Sequence, residues 1–366
     1  MSDLAYLDWN ATAPLLPEAR AAMTEALAHA GNPSSVHRAG RDAKKLLEAA
    51  RARIAARIGA PPDHVVFTSG GTEANNLALR GFPDRRVIVS AIEHDSVLAA
   101  AGDAARLPVT GDGIADLDAL DRMLAADSRP ALVSVMLANN ETGAIQPVAE
   151  AAAIAHRHGA LLHCDAVQAL GKISFNYSEL NADLMTISAH KIGGPMGVGA
   201  LIASPALALR PAQSGGGQER GRRAGTENLP GIAGFAAACE VAGDIRAVAA
   251  HRDSIEQRLL SIAPDARIHA LGAPRLPNTT NISITCVISS TQVMALDLAG
   301  VMVSAGSACS SGKVRRSHVL DAMGVPPDLA ECGIRISIGP GTTDADIDRL
   351  VEAWGALYAR TRSRAA

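Results

Sequence analysis

Apolar positions along the chain recur in two rhythms. Short apolar runs lie at residues 65–69, 86–90, 131–137, 161–165, 184–188 and 199–203, with glycine, proline or polar residues close by at their ends. Runs of that length and punctuation predict buried strands. Stretches with helical spacing lie between them, and two more, at 17–30 and 40–58, precede the first. This alternation predicts an α/β fold, a mixed or mostly parallel sheet with helices on both faces. An alanine-rich stretch predicts one long helix over roughly 231–260. Strands at 281–287 and 334–338, with helices between, predict a smaller α+β unit. The boundary is placed near Gly243, giving a large unit over 13–243. The small unit combines 244–366 with an extended arm, 1–12, packed upon it.

Composition narrows the function classes. The 366 residues are 48% hydrophobic and 19% charged, an ordinary globular balance. Aromatics make up only 2% and the net charge is −3, so neither stacking platforms nor a basic field for nucleic acid is expected. No apolar run is long enough to span a membrane, and the N-terminus lacks a signal-peptide pattern. Five cysteines without paired spacing fit a reducing compartment, the cytoplasm, and no Cys/His cluster suggests a zinc site.

The chemistry starts from lysine usage. Only five of the 34 cationic side chains are lysine, and one, Lys191, follows a strand in Ser188-Ala189-His190-Lys191-Ile192-Gly193-Gly194. Lysine can form a Schiff base and arginine cannot. About one βαβ unit earlier, the run Ala160-Leu161-Leu162-His163-Cys164 ends in Asp165. A carboxylate at a strand's C-terminal edge can pair with a protonated pyridine nitrogen, the partner pyridoxal phosphate requires. Asp165 can equally cap the segment that follows it.

Other loops add candidates. Ser69-Gly70-Gly71-Thr72-Glu73 joins a strand to a helix start, either a phosphate cradle or a plain glycine turn with Thr72 as cap. Glu93-His94 and Asn139-Asn140-Glu141-Thr142-Gly143 also follow strands, and Gly215 to Thr226 is rich in glycine and arginine. Cys309 lies among small residues in Ser307-Ala308-Cys309-Ser310-Ser311-Gly312, whereas Cys164, Cys239, Cys286 and Cys332 read as structural. Arg335 stands in an otherwise apolar strand and needs an anionic partner; a substrate carboxylate fits.

Taken together with Gly31-Asn32-Pro33-Ser34-Ser35-Val36-His37, Asp165-Ala166-Val167-Gln168 and Ser188-Ala189-His190-Lys191, these motifs run in one order over nearly the whole chain. In that set the chain resembles the cysteine desulfurases, the nitrogen-fixation and iron–sulfur type among pyridoxal-phosphate class V aminotransferases. The resemblance implies a PLP-dependent fold type I enzyme, with the catalytic cysteine loop on the small domain. It implies that Lys191 carries pyridoxal 5'-phosphate covalently and later moves protons. Asp165 would meet the pyridine nitrogen, Gln168 and Asn140 the ring hydroxyl, and His94 would stack on the ring. Gly71, Thr72, Ser188 and His190 would cradle the phosphate, and Thr226 would reach the phosphate of the other subunit of a homodimer. Arg335 and Asn140 would bind L-cysteine, and the Cys309 thiolate would attack its sulfur, giving L-alanine and a Cys309 persulfide. No resident metal is implied, though Cys309 would serve as a transient cluster ligand shared with an iron–sulfur scaffold or pass sulfur to another acceptor protein.

Four places depart from the family pattern. The arm reads Asn10-Ala11-Thr12-Ala13 rather than carrying a double threonine, and Pro195 is followed by Met196 rather than lysine. The segment Lys313-Val314-Arg315-Arg316-Ser317 is unusually basic, and the chain ends soon after Trp354, without the longer tail that docks a scaffold in housekeeping members. Three readings compete with a desulfurase. A selenocysteine or cysteine-sulfinate lyase would not need Cys309, an aminotransferase would leave the Cys309 loop without purpose, and a retired scaffold would not need Lys191, Asp165, His94 and Cys309 together.

Overall fold

The structure, a computed structural model, describes residues 4–243, 245–285, 287–308 and 314–365. Its main sheet has seven strands in the order Val65–Thr68, Gly199–Ala203, Leu184–Ser188, Leu161–Asp165, Ala131–Ser134, Arg86–Ser90, Ala105–Leu107. All neighbours run parallel except Gly199–Ala203, which is antiparallel to both of its partners. Because side chains alternate across a strand, successive residues enter two different cores. Val65, Phe67, Met185, Ile187 and Ile202 join one, beneath the helices Arg38–Ile58, Val148–Arg157 and Leu229–Val241. Val66, Leu132, Leu184 and Leu201 join the other, beneath Gly71–Arg80 and Asp95–Ala101. Burial on both faces explains why these strands read as continuous apolar runs rather than as alternating ones.

A second, antiparallel sheet has the order Ser304–Ala305, Gly333–Ser337, Thr279–Ser283, Arg267–Ile268. Its own core gathers Ile282, Ile284, Ile334, Ile336, Leu350 and Trp354, together with Ala5 and Leu7 from the arm. The arm joins the two sheets. Ala5–Tyr6 pairs in parallel with Val301–Met302, Trp9 N donates to Ser337 O at 3.0 Å, and Ala13 N then donates to His190 O at 2.9 Å.

Several elements differ from expectation. The single helix expected over 231–260 is two, Leu229–Val241 and Ala249–Ile262. Ala242 leaves helical geometry at ψ 99°, and its carbonyl accepts from Arg57 Nη2 at 3.0 Å instead of from a next turn. Gly243 follows, and alanine periodicity alone does not register that break. The expected strand 131–137 is regular only to Ser134. Beyond it Val135 N and Leu137 N still donate to the His163 and Asp165 carbonyls, while on the other edge Met136 N donates to the Glu93 carboxylate at 2.5 Å. The short strands Ala105–Leu107 and Ser304–Ala305 carry too few residues for a periodic signal.

Candidate active site

The parallel strands deliver their C-terminal ends to one edge of the main sheet, where an α/β fold gathers its chemistry. Asp165 ends one strand, Ser188 ends its neighbour, and Lys191 lies on the turn just beyond. Thr68 leads into Gly70 and Gly71, at the start of the helix Gly71–Arg80. Two glycines make this turn possible. Gly70 adopts φ 152°, and a Cβ on Gly199 would lie 2.7 Å from the Gly70 carbonyl carbon.

These ends line a cavity of about 340 Å³. Of the residues expected at the site, Gly71, Thr72, His94, Asn140, Asp165, Gln168, Ser188, His190, Lys191 and Arg335 all face it. Thr226 does not; within one chain it lines a separate small pocket with Thr68, Ser69 and Gly197. Cys309 lies outside the described residues, but Ser304 and Gly306, shortly before it in the chain, are on the cavity wall.

Lys191 Nζ donates to the carbonyls of Asn10 at 2.6 Å and Ala11 at 2.9 Å. Burial, helped by the Arg335 cation and opposed by Asp8 and Asp165, lowers its amine to about 8. Asp165 is held at both oxygens, Oδ1 accepting from Val167 N at 2.9 Å and Oδ2 from Asn75 Nδ2 at 2.8 Å. No helix starts here, so the carboxylate caps a turn at Val167 N rather than a helix N-terminus. The His94 ring accepts the Ser96 N–H at Nδ1 at 3.1 Å, so Nε2 carries the proton in the neutral ring. Burial keeps that ring neutral by lowering its pKa. His190 is pushed down to about 4 by burial and by Lys191, so it too stays uncharged at neutral pH.

Arg335 is already partly engaged within the chain. Its Nη2 reaches Asp8 Oδ1 at 2.6 Å and its Nη1 the Asn140 carbonyl at 3.0 Å, while Nε has no partner. The sequence reading missed Asp8, as it missed Asn10, Lys172 and His318. Asn10 and His318 line the cavity, and Lys172 is buried behind Gln168. The arm is too short to show periodicity. Lys172, however, was visible as one of only five lysines, four residues after Gln168.

The cavity fits pyridoxal phosphate on its own terms. The buried Ser188 hydroxyl has no partner among the described residues, and it stands near the N-terminus of the helix Gly71–Arg80, where main-chain N–H groups and the helix dipole favour an anion. An amine lowered to about 8 and a well-anchored carboxylate complete the donor set this cofactor requires.

Comparison with known proteins agrees. Residues 5–350 match the family model for class-V aminotransferases. The chain belongs to the class-V aminotransferase family. A cysteine desulfurase of Cereibacter sphaeroides is 47% identical, the match covering 95% of this chain and 94% of that one. A NifS-like protein from Rickettsia africae has a similar structure, with TM-score 0.91, 36% identity, and 97% and 99% of the two chains covered. A structure described as SspA in complex with cysteine gives TM-score 0.80 at 28% identity, covering 93% of this chain and all of the other. The protein is thus a pyridoxal-phosphate-dependent enzyme with cysteine desulfurase activity, on the fold expected from the sequence. No described helix is long and apolar enough to cross a membrane.

Proposed function

We propose that the protein takes sulfur from L-cysteine, releases L-alanine and holds the sulfur as a persulfide on Cys309. The observation that carries this reading is the convergence of Lys191, Asp165 and Arg335 on one cavity whose wall includes Ser304 and Gly306, leading to Cys309. Bound pyridoxal phosphate supplies the electron sink that lets bonds at the amino-acid carbons break. The chain's own residues do the rest. Gly71, Thr72, Ser188 and His190 hold the phosphate, and Asp165 holds the ring nitrogen protonated. Gln168 and Asn140 meet the ring oxygen, and His94 covers the ring. Lys191 anchors the cofactor and moves protons, its lowered pKa suiting both tasks near neutral pH. Arg335 orients the substrate carboxylate with Asn140, and Asp8 fixes the guanidinium in place. Once the substrate sulfur bonds to Cys309 and its bond to carbon breaks, the carbon takes a proton and leaves as alanine.

Within this reading the chain forms a homodimer in which Thr226 serves the partner's phosphate site, consistent with its distance from the cavity of its own chain. The large unit is 13–243, and the small unit is 1–12 with 244–366, its separate core supporting the division. The enzyme works in the cytoplasm and passes its sulfur to an iron–sulfur scaffold or another acceptor protein, Cys309 lending itself briefly to a cluster. Binding of a purified scaffold by calorimetry tests that partner. The decisive experiment measures sulfide and alanine from L-cysteine with a thiol reductant, wild type beside Cys309→Ala. Equimolar products from the wild type alone are expected. Equal activity in both would replace this reading with a lyase, acting on selenocysteine or cysteine sulfinate, that needs no protein thiol.

A further inference from the structure

Lys172 is buried, 4% exposed, and pairs with no acid among the described residues. Its Nζ donates to Asn10 Oδ1 at 2.6 Å and to Gln168 Oε1. From the other side, Gln168 Nε2 donates to the main-chain carbonyl of Asn10 at 3.0 Å. A carbonyl offers only lone pairs and an ammonium only hydrogens, so both contacts turn the Gln168 oxygen toward Lys172 and its NH2 toward Asn10. Asn10 is itself fixed. Its Oδ1 accepts from Asn278 Nδ2 at 3.2 Å, its Nδ2 donates to Thr279 Oγ1 at 2.9 Å, and its carbonyl also accepts from Lys191. One Gln168 N–H is engaged by Asn10, and the other remains for the cavity that Gln168 lines and Lys172 does not.

We infer that Lys172 is a positioning residue that locks Gln168 as a hydrogen-bond donor, so that the ligand oxygen beside Gln168 is held in its anionic form. This rests on the reading of Gln168 as a contact of the cofactor's ring oxygen. Without Lys172 only the Asn10 carbonyl orients the amide, and its NH2 is held less firmly toward the cavity. The surrounding charges are Lys191 and Arg335, which also favour an anion, and Asp165 and Asp8, which oppose it. The neighbouring rings of His94 and His190 are kept neutral by burial. Removing Lys172 leaves all of these in place. Burial depresses the Lys172 amine, which even when neutral keeps the two hydrogens that its two acceptors need.

The test titrates the visible absorbance band of the cofactor-loaded enzyme against pH. Lys172→Met is expected to raise the midpoint by about one pH unit, because the anionic oxygen loses a donor. Gln168→Met should raise it similarly, and the double variant no further than Gln168→Met alone, since the first residue acts through the second. An unmoved midpoint in Lys172→Met beside a shifted one in Gln168→Met, or shifts that add, would overturn the inference. An unmoved midpoint in Gln168→Met would instead remove the reading of Gln168 as a cofactor contact, and this inference with it. If Lys172→Met does not fold, Lys172→Gln takes its place with the same expected direction and the same refuting result.

Discussion

The amine of Lys191 offers the sharpest quantitative test. With its amine at about 8, some ~20% is free of its proton at pH 7.4, against ~0.1% for a lysine at the ordinary 10.5. Burial is the larger cause and the Arg335 cation the next, with Asp8 and Asp165 pulling the other way. Arg335→Leu removes one cation and also releases Asp8 from its 2.6 Å ion pair, and both changes favour the ammonium. The midpoint should rise by about one unit, to roughly 9, leaving ~2% free amine at pH 7.4. Mixing cofactor-free protein with pyridoxal phosphate in a stopped-flow spectrometer reads the consequence without any substrate. Capture by Lys191 should be about tenfold slower in the variant at neutral pH, the two curves meeting above roughly pH 10. A variant curve parallel to wild type at every pH would refute the electrostatic reasoning, since only a shifted midpoint lets the two converge. The sign carries over to stability. An unfolded lysine keeps its proton up to 10.5 while the folded one sheds it near 8, so the cofactor-free protein should gain up to about 3 kcal/mol across that window.

Two further outcomes follow from buried charge. Arg51 and Glu219 form a bidentate pair at 2.8 Å with side chains 3% and 1% exposed, and Glu219 also accepts from Phe67 N at 2.7 Å. Glu219→Gln should cost about 3 kcal/mol in urea unfolding, because it strands a buried guanidinium; a loss under about 1 kcal/mol would mean that Arg51 keeps its charge satisfied elsewhere, as through Glu48. Beside this pair Glu219 and Arg220 adopt φ 46° and 58°, two non-glycine residues in the left-handed region just before Gly221, in the loop leading to Thr226. Burial also lowers His163, His190 and His269 to about 4 each. Unfolding must therefore take up protons between pH 6.5 and 4, and stability should fall by about 1.4 kcal/mol per pH unit for each of the buried His163 and His269, and by less for the half-buried His190, as the solution is acidified. Urea midpoints that stay flat from pH 6.5 to 5 would contradict this.

The chain's order of apolar runs determined the α/β alternation, because strands covered on both faces must be apolar throughout, and that pattern survives any detail of packing. Lys191, Asp165 and the Gly70-Gly71 turn were legible for a related reason: each stands immediately after a strand, so one-dimensional spacing already places it at the sheet's chemical edge. The sequence could not see contacts that join distant segments. Asp8 meets Arg335 across 327 positions, and Asn10 ties the arm to Lys191, Lys172, Gln168 and Thr279. Those partners share no periodicity and no motif. They meet because the arm pairs with the small sheet and then crosses to the turn after Ser188, and only the folded chain brings both edges to one cavity. The break after Val241 was hidden likewise, since alanine favours a helix locally while a carbonyl captured by Arg57 ends it. Tertiary structure also decided protonation. The sequence placed an amine beside a carboxylate, but burial and the nearby guanidinium lower that amine to about 8, so that a working fraction is free of its proton at neutral pH.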